Sequence, residues 1–322
     1  MESSRERHIG HGGTVAKIIL FGEHSVVYGH PAVAVPLHSL HMSATVERSA
    51  TPTTSSTLSC LEWHGPLDAA PARLGSVVKA VEVATAAAGQ PDTGLHVTTQ
   101  ADFPPERGLG SSAAAAGAVI RAVLDAYHVP ASPQQLFELT QEAERIAHGR
   151  PSGLDALTTA SPSPVYFRDG AASTLDMDLA AWIVIADSGT QGSTRETVGD
   201  VRHSYETSPD QVGPLLDQLG TIADGAADDL RSGDVTALGE KMNVAHGLLA
   251  ELGVSDDRLD ALTAAARDAG AVGAKLTGGG RGGCIIALAR TSDDAARIAD
   301  SLTHAGASGT WIHAPHLEKA AP

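Results

Sequence analysis

At 322 residues, with 42% hydrophobic and 19% charged positions, the chain has the composition of a globular protein long enough for two domains. A formal net charge of −16 argues against general nucleic-acid or anionic-membrane binding, which needs a basic face. Cys60 and Cys284, the two cysteines, cannot build a disulfide framework and fit a reducing compartment, by default the cytoplasm.

No basic start leads into a signal-type apolar stretch, and apolar runs such as WIVIA at 182–186 are too short to span a bilayer. The 15 histidines form no Cys/His cluster at zinc-finger spacing. His38 and His41, three apart in an apparent strand, point to opposite faces.

Residues 1–13 are polar and glycine-rich and read as a frayed start. The run from Ala16 to Leu20 predicts a strand that enters the turn GEHSVVYG, and a second strand follows over Ala32 to Leu37. In KIILFGEHSVVYG (17–29) this first strand delivers Lys17, Glu23 and His24 around a glycine turn; read alone, the three suit an ordinary surface turn as well as a site. RSATPTTSST (48–57) is a polar loop, Leu74 to Ala88 a helix, and Gly94 to Thr99 a strand.

PPERGLGSSAAAA (104–116) follows. Val119, Ile120, Val123, Leu124 and Tyr127 recur at helical spacing, so a helix opens at Ser111. Its first amides lack intrahelical partners and carry the positive end of the helix dipole, and Gly108 and Gly110 let the backbone approach an anion. An anion cradle and a plain Ser-capped helix start both satisfy this string. The Lys that closes GxxxxGK[ST] is missing, which rules out a Walker A loop. Gly108, Gly110 and Ala113 match the loose dinucleotide pattern, but PPER replaces the buried strand that should precede it.

Ser132, Pro133 and Gln135 form a capping-box start for a helix closed by Gly149 and Pro151. It carries Glu144 at the edge of its apolar stripe, and Asp155 lies eleven positions on, past the rigid turn GRPSG. Such carboxylates can divide labour, one holding a hard cation and the other a proton. Alternatively, Glu144 is a solvated helix residue and Asp155 an N-cap.

After a break near Leu179 come the strand AWIVIAD and three helices at roughly 210–231, 234–252 and 256–269. The last segment reads strand (Ala274 to Leu276), glycine loop, strand (Cys284 to Ala289), helix (Ser292 to His304), strand (Gly309 to His313), an α+β pattern. Five glycines in KLTGGGRGGC (275–284) exceed a hairpin's needs and suggest backbone packing against a ligand or the first loop. The domain boundary is placed at 180/181.

Taken together and in this order, KIILFGEHSVVYG, PPERGLGSSAA, GRPSGLD and KLTGGGRGGC resemble the signature regions of the GHMP small-molecule kinases. The resemblance runs from Lys17 to the final sheet. It implies a two-domain α+β fold: residues 1–180 like a ribosomal-protein S5 domain 2, residues 181–322 ferredoxin-like, and an active site in the cleft between them. GEHSVVYGHPAVAVPL and DSGTQGSTRETV (187–198) resemble the branch acting on mevalonate more than the galactose or homoserine branches. The resemblance implies ATP-dependent phosphorylation of the primary alcohol of (R)-mevalonate, a first kinase step toward isopentenyl diphosphate. A relative acting on phosphomevalonate, and a non-catalytic sensor with the same fold, are the alternatives.

The resemblance also implies roles. Pro105, Gly108, Leu109, Gly110, Ser111, Ser112 and Ala113 would hold the ATP phosphates, with Ser112 and Glu144 binding Mg²⁺. Asp155 would accept or orient the acceptor's proton, and Lys17 would stabilise that aspartate and the developing phosphoryl charge. Glu23, His24, Thr194 and Gly279 would contact substrate, and the loop at 278–283 would back the phosphate loop. Glu106 and Arg107 stand where the family often has Gly or Ala, a charge expected to alter only the rim. No nucleic acid or membrane partner is expected, and a homodimer stays open.

Overall fold

The computed structural model describes residues 9–49, 55–90, 94–149, 151–192 and 194–315. Two compact units emerge: one contains the described residues up to Ala16 with Leu40–Pro104 and Gly110–Ala160, the other Lys17–Ser39, Pro105–Leu109 and the chain from Ser161 on.

Strand β1 (Ile9–Phe21), whose residues up to Ala16 belong to the first unit, begins well before the expected Ala16. Of the start expected to be frayed, residues 9–13 are strand and residues 1–8 lie outside the described residues. The glycines that suggested disorder are a packing requirement. A Cβ on Gly10 would stand 2.1 Å from the Ala122 carbonyl oxygen, and one on Gly12 2.0 Å from that of Ala118. Only a strand without side chains there can lie on helix α2 (Ser111–Ala126). That helix is lined by Ala113 to Ala116, Ala118, Ala122 and Ala126, all buried, so its neighbours come close.

Strand β2 (Ala32–Arg48) outlasts the predicted Leu37. Leu40, Met42, Ala44 and Val46 are buried while His41, Ser43 and Glu47 face solvent, a half-buried alternation the sequence also carries. Its far end pairs antiparallel with β5 (Leu95–Ala101), Val46 opposite Val97. β3 (Thr57–Cys60) runs parallel to β5 and forms a hairpin with β4 (Trp63–Pro66). The predicted loop 48–57 is therefore shorter, because Arg48 and Thr57 belong to strands; its residues 50–54 lie outside the described residues. Helices α1 (Gly75–Ala87), α2 and α3 (Pro133–His148) pack on one another. α3 starts as expected, with Ser132 accepting from Gln135 N and the Gln135 side chain accepting from Ser132 N. The short helix α4 (Leu154–Thr158) follows.

In the second unit, Ala32 to Ala34 of β2 pair with β6 (Val165–Arg168), which turns into β7 (Ala171–Thr174). A separate antiparallel sheet combines β8 (Trp182–Asp187), β9 (Gly273–Thr277), β10 (Cys284–Ala289) and β11 (Gly309–His313) in the order β11-β8-β10-β9. Numbered within that sheet the order is 4-1-3-2, the split βαβ arrangement of ferredoxin-like domains. Helices α5 (Thr194–Thr207), α6 (Pro209–Ser232), α7 (Val235–Glu251) and α8 (Asp257–Asp268) are inserted between β8 and β9, and α9 (Ser292–His304) links β10 to β11. The expected α+β class and ferredoxin-like second domain are what the chain adopts. Among the described residues no helix is long and apolar enough to cross a membrane.

Candidate active site

The loop before α2 resolves one alternative. The N-cap is Gly110 at φ 73°, and it supplies no side-chain cap, so Ser111 does not serve as the Ser cap considered above. Ser111, Ser112 and Ala113 form the first helical turn, whose amides carry the positive end of the dipole. Ser112 Oγ donates to Glu144 Oε1 at 2.6 Å and lies 3.1 Å from Ser76 Oγ. Glu144 is only 2% exposed, which replaces the solvated helix position with a carboxylate held against a hydroxyl at the head of α2. Two hard oxygen donors side by side suit a magnesium-like cation that keeps water and phosphate oxygens as its other ligands. Among the described residues no cluster of three or more His, Cys, Asp or Glu could hold a metal by itself.

Asp155 sits in the first turn of α4, after Gly153 at φ 97°. Its backbone carbonyl accepts from Thr159 N and Thr159 Oγ1, both at 3.0 Å, so its main chain is fixed.

The remaining candidates belong to the second unit. Lys17 is 2% exposed, and its amide donates to the Leu109 carbonyl at 3.0 Å, tying the strand to the loop at 105–109. Gly108, at φ +81°, faces the glycine loop: a Cβ there would lie 2.8 Å from the Thr277 carbonyl oxygen, and one on Gly278 2.8 Å from the Gly108 Cα. The surplus glycines of 278–283 thus let one loop back directly onto the other, one of the two uses foreseen. Pro105 lies at the head of the same segment.

His24 comes beside Gly279. It adopts φ 61° at the head of a 3-10 turn, and its Nε2 bonds the Gly279 carbonyl at 3.0 Å. Burial holds its pKa down to about 4, so the ring is neutral near pH 7 and donates from Nε2. The Thr194 side chain, at the start of α5, touches the other side of Gly279, whose Cβ would meet Thr194 Oγ1 at 2.7 Å.

The residue the sequence reading passed over is Lys275. It is fully buried in β9, donates to Glu23 Oε1, and also donates to the Leu276 carbonyl at 2.7 Å. Burial pushes the Glu23 carboxyl up and the Lys275 ammonium down, and the opposite charge of each counters that shift. Glu23 Oε2 is buried with no hydrogen-bond partner among the described residues. A lone lysine inside the apolar run AVGAKLT was the available signal.

Residues 75–161 match the model of the GHMP kinases N terminal domain and residues 226–308 that of the GHMP kinases C terminal domain. The chain belongs to the GHMP kinase family, whose members are ATP-dependent small-molecule kinases. It is 38% identical over 293 residues to the mevalonate kinase of Pyrococcus horikoshii, covering 85% of this chain and 87% of that one. To the mevalonate kinase of Aeropyrum pernix it is 31% identical over 289 residues, 88% and 89% covered. Among solved structures, mevalonate kinase from methicillin-resistant Staphylococcus aureus is 32% identical with a TM-score of 0.74, covering 96% of this chain and 99% of that one. L. major mevalonate kinase in complex with R-mevalonate is 26% identical with a TM-score of 0.82, 99% of each chain covered. Within its family the chain groups with the mevalonate kinases.

Proposed function

We propose that the chain transfers the γ-phosphoryl group of ATP to the primary alcohol of (R)-mevalonate, giving (R)-5-phosphomevalonate and ADP in the route to isopentenyl diphosphate. The observation that carries a phosphoryl-transfer reading is the Ser112–Glu144 pair at the head of a helix that opens within GLGSS. The choice of mevalonate rests on the relatives that bear its name.

The backbone from Pro105 through Gly108, Leu109, Gly110, Ser111, Ser112 and Ala113 cradles the phosphates. Ser112 Oγ and Glu144 would hold a divalent cation, assigned as Mg²⁺, which would supply positive charge to the phosphates. Glu23, His24, Thr194 and Gly279 position the acceptor. Its hydroxyl oxygen forms the new bond to the γ-phosphorus as the bond to the ADP oxygen breaks, and its proton passes to, or is oriented by, Asp155. Lys17 offsets the charge on the transferring group, in a reaction catalysed mostly by positioning and electrostatics.

The domain division at 180/181 belongs to this reading; the two family matches fall on either side of it. So do a cytoplasmic location and, as an assembly to be measured by light scattering, a homodimer. Coupled ADP-release assays with (R)-mevalonate, phosphomevalonate, galactose and homoserine test the substrate. Turnover of mevalonate alone is expected, and turnover of another acceptor without mevalonate overturns the assignment.

A further inference from the structure

Arg107 stands in the phosphate loop, where a rim charge was expected, yet its side chain is only 15% exposed. Its Nε lies 2.9 Å from Oδ1 of Asp187 and donates to Oδ2 at 3.1 Å. The Asp187 side chain is 7% exposed and well fixed. It ends β8, in register with Cys284 on one neighbouring strand and Gly309 on the other, and its Oδ1 also accepts from Gly189 N at 2.8 Å. A guanidinium Nε–H shared between both oxygens of a carboxylate at the end of a central strand is a directional anchor, not a loose surface pair.

The residues around Arg107 are held in turn. The Arg107 carbonyl backs onto Gly283, whose Cβ would lie 3.0 Å from that oxygen. Gly108 backs onto Thr277, and Leu109, fully buried, accepts from Lys17 N. Glu106, just before, adopts φ 58°, a left-handed conformation that a non-glycine residue keeps only when its surroundings impose it. The Arg107–Asp187 pair adds a charged side-chain anchor to these backbone contacts.

We propose that Arg107, anchored by Asp187, is a positioning residue for the nucleotide: it fixes the backbone from which the amides at Gly108 and beyond meet the phosphates. Arg107 acts through the loop and not by touching the acceptor. The inference rests on the phosphate-loop reading above, and it predicts a split between the two substrates that a general loss of stability would not produce.

The test is steady-state kinetics on the full chain with Arg107→Gln, Arg107→Lys and Asp187→Asn, the last chosen because an amide oxygen can still accept from Gly189 N. Arg107→Gln and Asp187→Asn should each lower kcat/KM for ATP about tenfold, with KM for (R)-mevalonate within about twofold of the parent. Arg107→Lys should recover only part of the loss, because a flexible ammonium lacks the fixed direction of the guanidinium Nε–H. The double variant Arg107→Gln/Asp187→Asn should be no worse than the poorer single. Hydrogen exchange of the parent and Asp187→Asn should show faster exchange confined to residues 105–112.

An unchanged kcat/KM for ATP overturns the proposal, as does an equal loss toward both substrates with a lowered melting temperature. Ser112→Ala is measured alongside. If it weakens ATP use and the Arg107 variants do not, only the anchoring role fails; if neither does, the phosphate-loop reading fails first.

Discussion

Lys275→Met removes the ammonium of a fully buried ion pair while keeping an unbranched side chain of similar length, so the change is electrostatic and leaves little cavity. Glu23 is then a carboxylate with 1% exposure, one oxygen without a partner among the described residues and the other deprived of its ammonium. Breaking a buried pair by removing one member costs about 3–5 kcal/mol. The protein has an escape, which is to bind a proton at Glu23. From an ordinary value of 4.5, holding that proton costs about 1.4 kcal/mol per pH unit, hence about 3.4 kcal/mol at pH 7 and about 2 kcal/mol at pH 6.

In the variant the folded-state pKa of Glu23 lies above its unfolded value. Its contribution to stability is therefore present below pH 4.5 and lost as pH rises toward the raised folded value. The deficit relative to the parent should grow by about 1.4 kcal/mol per unit between pH 6 and 8 until full ionisation caps it. Urea unfolding at pH 6, 7 and 8 reads this, followed by the fluorescence of Trp182 and Trp311, which lie in the same sheet as Lys275. Adding Glu23→Gln should abolish the slope. A deficit below about 1 kcal/mol at pH 7, or one independent of pH, refutes the reasoning.

Three further outcomes are expected. Asp155→Asn should reduce turnover at least about a thousandfold while an ATP analogue binds within about threefold of the parent by calorimetry, because general-base and orienting groups contribute mainly to the chemical step. Gly108→Ala adds a methyl 2.8 Å from the Thr277 carbonyl oxygen at φ +81° and should raise KM for ATP about tenfold or more, read with (R)-mevalonate saturating. His24 and His313 both sit near a pKa of about 4, mainly through burial, against 6.5 unfolded. Their stabilisation is present above pH 6.5 and lost as pH falls through 4, so His313→Gln should flatten the acid limb of the stability curve by up to about 3 kcal/mol.

The local elements with self-sufficient signals were readable in the chain. The capping box placed α3, and Cys284–Ala289, Ser292–His304 and Gly309–His313 fall where apolar runs and helix signals set them. Helix α5 lacked such a signal because only Thr197 and Val201 of its fourteen residues are buried, too few to write a stripe. The early part of β1 was masked by glycines whose purpose is visible only once α2 lies against them.

The site divides in the same way. The sequence by itself determined that a dipole-bearing helix start follows GLG, that a Walker lysine is missing, and that carboxylates at 144 and 155 flank a rigid turn. These depend on neighbours a few positions away. Tertiary structure alone decided that Ser112 meets Glu144, 32 residues distant, that Arg107 is pinned to Asp187, 80 distant, and that Lys275 pairs with Glu23, 252 distant. No local propensity encodes such pairs. They exist because packing buries charged and polar groups from remote segments together, where leaving any of them unpaired would cost more than the fold can spare.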